Sequence, residues 1–385
     1  MTERRETLRA LTSLRFGAAL LVFSWHCVPT RAVSATFSFG YLGVAFFFLL
    51  SGFILTYTYH GAFGERLRSE TIRAFYVARV ARVYPLHLAT MPLMIACLVY
   101  LGTNPLWSGV APQTRLQEIL AQAVLLQSWI PVRAIYFGAS GPAWSISCEA
   151  FFYALFPFAA FFLLRAFRGA SPRAVLLAAA AGWLTLTMLL APQSAAVDDW
   201  RWYVFPPARL VDFLAGMMLA IAFLRSNRTE RGLLRPTCDE LVALAVVGLL
   251  VYVSPLVPLS LRFSAWVMPG WAAVIFLFAR GQGAISRLLS HPVLVRLGEV
   301  SFAFYLCHLA LLALLSRFVG WNAPFFVPLA LATTLAVSFA LFHGVEQPLR
   351  TRIRALCERH PRSVSSRALP ASADPSGAFA AGAEA

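Results

Sequence analysis

The sequence predicts an all-α, polytopic membrane protein of about ten transmembrane helices with both termini in the cytoplasm. Three observations carry that expectation. Of 385 residues, 59% are hydrophobic and only 13% are charged, against about 25% charged in a soluble domain. Apolar runs of about 17–25 residues, enough to cross a hydrocarbon core ~30 Å thick, recur about ten times. The basic side chains are also distributed to one side. All 32 are Arg, and with the N-terminus inside, 24 fall in cytoplasmic segments, six in outer segments and two within spans. This is the positive-inside pattern. The net charge of +15 therefore marks cytoplasmic loops and membrane lipid, and no nucleic acid is expected as a partner. An Arg-only, Ala-rich chain suits a GC-rich bacterial genome, which makes the inner (plasma) membrane the expected location.

The expected spans lie near 11–29, 41–59, 84–102, 144–164, 174–191, 203–224, 239–254, 265–280, 300–316 and 325–344. The first follows Arg4, Arg5 and Arg9 and has some character of a signal peptide. The runs behind it favour a first transmembrane helix. Within a long outer loop, 103–143, the segment Leu116 to Pro131 is apolar but holds Glu118 and several Gln. It reads as an interfacial or re-entrant piece. Residues 1–360 form one transmembrane domain with no internal repeat. Residues 361–385, rich in Ala, Ser, Pro and Gly, read as a disordered cytoplasmic tail. The six Cys (27, 97, 148, 238, 307 and 357) form no CxxC pair and no Cys/His cluster, so neither a disulfide framework nor a metal site is expected.

Ionisable groups inside membrane spans are costly to bury and are functional candidates by default. His26, in Trp25-His26-Cys27, stands ~22 Å from the inner end of helix 1 at 1.5 Å per residue. Glu149 on helix 4, and Arg209 and Asp212 on helix 6, come out at similar depth, so the four are expected to share one reaction layer. Other readings stand beside each. His26 suits a packing histidine bonded to a carbonyl, Arg209 and Asp212 at i, i+3 suit a structural ion pair, and Ser145 and Ser147 beside Trp144 suit helix capping. Near the inner face Arg79 and Arg82 lie three apart among aromatics. Such a pair can fork onto phosphate oxygens or touch anionic lipid. Tyr305 and His308, placed in the inner half of helix 9, read as structural, as do His343 and Glu346. No GxSxG, Walker, HExxH or HxxxxD signature is present, so a positioned His with a carboxylate points to general base chemistry.

Seven segments in order resemble the acyltransferase-3 family of integral membrane O-acyltransferases. They are Leu11 to Arg15 leading to His26, Gly43 to Phe53, Arg79/Arg82 before Tyr84-Pro85-Leu86, and Trp144-Ser145-Ile146-Ser147-Cys148-Glu149 before Phe152-Tyr153. Then come Arg209-Leu210 with Phe213 and Gly216, Leu297 to Phe302 with Tyr305 and His308, and Glu346 to Arg350. The resemblance implies acetyl-CoA or another acyl-CoA as cytoplasmic co-substrate, no metal, and a hydroxyl of an extracytoplasmic or lipid-linked carbohydrate as acceptor. A small glycosylated metabolite is the alternative acceptor. It implies His26 and Glu149 as catalytic, Arg79 and Arg82 as CoA-binding, and Trp144, Ser145, Ser147, Arg209, Asp212, Tyr305 and His308 as supporting or substrate-binding. In the scheme it suggests, Glu149 orients the His26 imidazole. The chain departs from the pattern at Ala45, where many members have Asp or Ser, and at Asp212, where Glu is common. A glycan transporter or flippase, or a non-catalytic partner of a polysaccharide synthase, are the rival classes.

Overall fold

The structure, a computed structural model, describes residues 8–27, 40–101, 110–138, 140–190, 200–226 and 232–358. Among them nine helices are long and apolar enough to cross a membrane, and no strand occurs. The expected tail, 361–385, lies outside the described residues. The first three helices are α1 (Arg9–Cys27), α2 (Gly40–Phe63) and α3 (Ser69–Leu101). The outer loop carries α4 (Pro112–Ala123) and α5 (Arg133–Tyr136), followed by α6 (Trp144–Ala166), α7 (Pro172–Leu190), α8 (Pro206–Arg225) and α9 (Leu234–Val253). The remainder are α10 (Leu259–Arg262), α11 (Met268–Arg280), α12 (Ala284–Leu289), α13 (Pro292–Val319), α14 (Phe326–Leu341) and α15 (Gln347–Glu358).

The bundle is built around α2. It is 78% buried over its most apolar window, whereas α7 is 11% buried and stands at the lipid-facing margin. Small residues let the central helices touch backbone to backbone, as membrane helices with no hydrophobic drive between them require. A Cβ on Gly216 of α8 would sit 1.9 Å from the carbonyl oxygen of Leu49 on α2. Reciprocally, one on Gly52 would sit 2.0 Å from Phe213 O. The α1–α13 pair is equally close, since a Cβ on Gly298 would meet Thr12 O at 2.0 Å.

Two departures from the expected layout shape the interior. The expected span 265–280 is a broken crossing: α11 has 13 residues, only ~20 Å at 1.5 Å per residue. The short α10 and a turn at 263–267 precede it. Irregular backbone is tolerated at membrane depth where protein buries it, and here the buried Arg209 guanidinium donates to Phe263 O at 2.8 Å. The outer loop, in turn, folds back into the bundle. Gln127 and Ser128 are fully buried. Their side chains donate to Ala143 O and Trp144 O, both at 2.8 Å. The segment thus re-enters the protein at Gln127 and Ser128 and anchors the start of α6.

On the opposite side, Glu240 of α9 accepts from the backbone N–H groups of Gly283, Ile285 and Ser286 at 3.1–3.2 Å. It caps the first turn of α12, where free N–H groups favour an anion.

Candidate active site

A cavity of about 130 Å³ lies between α1, α2, α3, α6 and α13. Arg15, Arg79, Arg82, Glu149 and Tyr153 supply its polar wall, and Ser145, Phe47 and Tyr305 close its other end. Arg79 and Arg82 stand one turn apart on α3, which starts inside the apolar bundle only after its first polar turns. The Arg79 guanidinium lies 5.7–5.9 Å from the rings of Tyr59, Phe75 and Tyr153. Its Nε is buried with no hydrogen-bond partner among the described residues. The Arg82 guanidinium lies 5.8 Å from the Phe302 ring and is ion-paired with Glu346. Tyr153 Oη donates to Glu149 Oε2 at 2.8 Å, from one turn further along α6. The cavity is comparable to the ~150 Å³ that holds a benzene. It accommodates a slender chain and leaves anything nucleotide-sized outside.

His26 is on α1, 11 residues beyond Arg15, and does not line this cavity. Its partner is His308. A carbonyl oxygen only accepts, so His308 Nδ1 donates to Tyr305 O at 2.7 Å and its Nε2 is left as an acceptor. His26 Nδ1 lies 2.9 Å from Val22 O and 3.1 Å from His308 Nε2. In a neutral pair it carries the hydrogen and shares it between them, and His26 Nε2 keeps its lone pair. The bond of a packing histidine to a carbonyl is therefore present, but it leaves the second ring nitrogen unused. The link back to the cavity is Tyr305, on the turn before His308. Its Oη is 2.8 Å from Ser145 Oγ and donates to Pro142 O at 3.1 Å, and Phe47 meets its ring edge-on at 6.0 Å between centroids.

The structure corrects three placements. Glu149 hydrogen-bonds Tyr153 and not His26; it lines the cavity with the arginines, because the loop at Leu125, Gln127 and Ser128 holds the first turn of α6 inside the protein. His308 is level with His26 rather than in the inner half. Helix α13 begins at Pro292, which puts His308 ~24 Å from its start, against ~26 Å for His26 along α1. Arg209 and Asp212 are not in the cavity wall that Glu149 lines. They form a fully buried ion pair at 2.8 Å and bind Phe263 O and Ser264 Oγ at the broken crossing.

The remaining positions divide similarly. Ser145 faces the cavity, whereas Ser147 Oγ donates to Leu125 O at 2.6 Å and pins the re-entrant loop at a residue with φ 59°. Trp144 packs between Phe48 and Tyr203, at 6.2 and 4.5 Å between centroids. Four polar cavity residues have no role assigned from sequence: Arg15, Ser51, Tyr153 and Ser301. The signal for Arg15 was present as the one charge inside the first apolar run, and that for Tyr153 as an i+4 neighbour of Glu149.

Comparison with known proteins gives the family. Residues 8–343 match the acyltransferase-3 family model, described as an acyltransferase domain. The chain is 28% identical over 400 residues to the acyltransferase MdmB of Streptomyces mycarofaciens, covering 94% of this chain and 95% of that protein. It is 25% identical over 375 residues to YrhL of Bacillus subtilis, by name a candidate peptidoglycan O-acetyltransferase, covering 91% of this chain and 56% of that one. It is 24% identical over 327 residues to the exopolysaccharide production protein ExoZ of Rhizobium meliloti, covering 83% and 92%. No solved structure matches the chain significantly. With its motifs gathered around one cavity and one histidine pair, the chain belongs to the acyltransferase-3 family and is a multi-pass membrane O-acyltransferase.

Proposed function

We propose that the protein moves an acyl group, most simply acetyl, from cytoplasmic acyl-CoA to a hydroxyl of an extracytoplasmic or lipid-linked carbohydrate. The observation that carries this is the continuity of the site: an arginine-walled cavity ends at Tyr305, one helical turn from the His26–His308 pair. Arg79 and Arg82 fit the phosphates of CoA, since guanidinium forks match phosphate oxygens and Arg79 Nε is an unused buried donor. Arg15 adds a third positive charge along the cavity, and Glu149, held by Tyr153, balances it. The narrow cavity takes the thioester arm, and movement of Tyr305 and Phe47 opens it towards His26.

At that end His26 Nε2 accepts the proton of the acceptor hydroxyl as its oxygen attacks the thioester carbonyl. The new C–O bond forms, the C–S bond breaks, and the proton returns to the departing sulfur. His308 shares the Nδ1 hydrogen of the imidazolium, the part a carboxylate plays beside other catalytic histidines. The names of ExoZ and YrhL favour a glycan acceptor. The excess of Arg on the side of α3 that carries Arg79 supports a cytoplasmic donor.

Purified protein in detergent, given labelled acetyl-CoA and a carbohydrate acceptor, is expected to release CoA and label the acceptor. His26→Ala should lower turnover about 10²–10⁴-fold, the worth of a general base, with an unchanged gel-filtration profile. A variant that retains most of its transfer would remove His26 from the mechanism, and wild-type protein that leaves every acyl-CoA intact would remove the donor.

A further inference from the structure

The Arg82 guanidinium at the cavity wall is not idle. It is ion-paired with the carboxylate of Glu346, which no step of the reaction above uses. The side chain of Glu346 is 1% exposed against 16% for Arg82, so the anion sits behind the cation and not in solvent. Its other carboxylate oxygen, Oε2, is buried without a hydrogen bond among the described residues. A half-satisfied buried carboxylate is costly, because its desolvation is only partly offset. Glu346 is also the last residue of a π-helical turn, Phe342–Glu346, between α14 and α15. Such turns place one extra residue in a helix and concentrate at functional sites.

We propose that Glu346 is an internal stand-in for the donor's phosphate: it holds Arg82 while the donor is absent and is displaced from it when acyl-CoA binds. The inference rests on the reading of Arg82 as a phosphate ligand. Glu346 and a phosphate compete for the Nη1 edge of Arg82, so each gains that edge at the other's expense. Turnover benefits because spent CoA has to leave an arginine-rich site, and Glu346 returning to Arg82 competes with the product for its hold. Donor occupancy is thereby coupled to the anchoring of α15.

Isothermal titration of CoA into purified full-length protein in detergent tests this. Glu346→Gln, which keeps shape and removes the charge, is expected to tighten CoA binding at least fivefold, and Arg82→Ala to weaken it. In the Arg82→Ala background, Glu346→Gln should change nothing. An unchanged or weaker affinity in Glu346→Gln, with wild-type protein binding CoA, overturns the stand-in and leaves the donor reading intact. No binding of CoA by the wild type overturns the donor reading and the stand-in with it. Hydrogen–deuterium exchange on the wild type needs no variant to fold. Peptides of 347–358 should exchange faster at saturating CoA, and an unchanged or slower rate would refute displacement.

Discussion

Among the described residues His26 bonds through one ring nitrogen only, and that asymmetry is what makes it useful. Nδ1 is committed to Val22 O and His308 Nε2, so chemistry falls to Nε2. When the ring takes a proton, the bond to His308 becomes charge-assisted, worth about 1.5–3 kcal/mol. His308→Leu should therefore lower kcat roughly 10- to 100-fold, at about 1.4 kcal/mol per decade, with the KM for acyl-CoA unchanged. His308→Gln, which offers an acceptor again, should recover part of the loss; equal kcat in Leu, Gln and wild type would make His308 mere packing. On the donor side, Arg79→Ala should raise the KM for acyl-CoA and leave kcat largely intact. An unaltered KM would return Arg79 to lipid anchoring. The residues themselves were readable from their cost in a membrane; their partners were not. Glu149 and His26 look like neighbours when depth is counted along each helix, and only the folded contacts separate them, Glu149 with Tyr153 and His26 with His308.

Between elements, glycine decides how closely the helices approach and so where their side chains meet. Gly298 lets α13 touch α1 at Thr12 O, and this contact holds His26 and His308 at 3.1 Å. Gly298→Ala should push the pair apart, with kcat falling more than the KM for acyl-CoA rises; a lowered Tm with wild-type kcat would uncouple that contact from the site. Gly216→Ala meets Leu49 O in the α2–α8 pair and should cost about 1–3 kcal/mol by overpacking, read as a lower Tm in detergent. Arg209→Ala tests the broken crossing. It strands Asp212 and Phe263 O in the interior, and losing one partner of a buried pair costs about 3–5 kcal/mol. The expected outcome is loss of folded protein before loss of a kinetic constant. A folded Arg209→Ala with a selectively raised KM would restore Arg209 to substrate binding. The i, i+3 spacing of Arg209 and Asp212 was legible from sequence. That they secure a helix break was not, because the break belongs to a segment more than 50 residues away.

Across the whole molecule, the arginine bias predicts that the α3 end of the cavity faces the cytoplasm. A green fluorescent protein fused to the C-terminus should fluoresce, and alkaline phosphatase fused there should be inactive. The reverse pair would invert the molecule and bring the donor from outside. In the proposed reaction the acceptor meets His26 from the opposite side, so donor and acceptor approach through different faces of one bundle. A polar interior of that kind also suits a carrier; the family match to acyltransferases favours the enzyme.

Composition and run length were enough for the class, because the cost of burying charge in lipid acts on each segment independently of its neighbours; the sidedness of Arg supplies an expected orientation. The ordered motifs were enough for the family, and they single out His26, Arg79 and Arg82 as the residues to test. Contacts between segments belong to the tertiary structure. It placed Glu149 with Arg15 and the α3 arginines, made His308 the partner of His26, and turned Arg209 and Asp212 into the clasp of a broken helix. Each of these depends on where a helix starts and how near a glycine lets its neighbour come, and one-dimensional depth counting carries neither quantity.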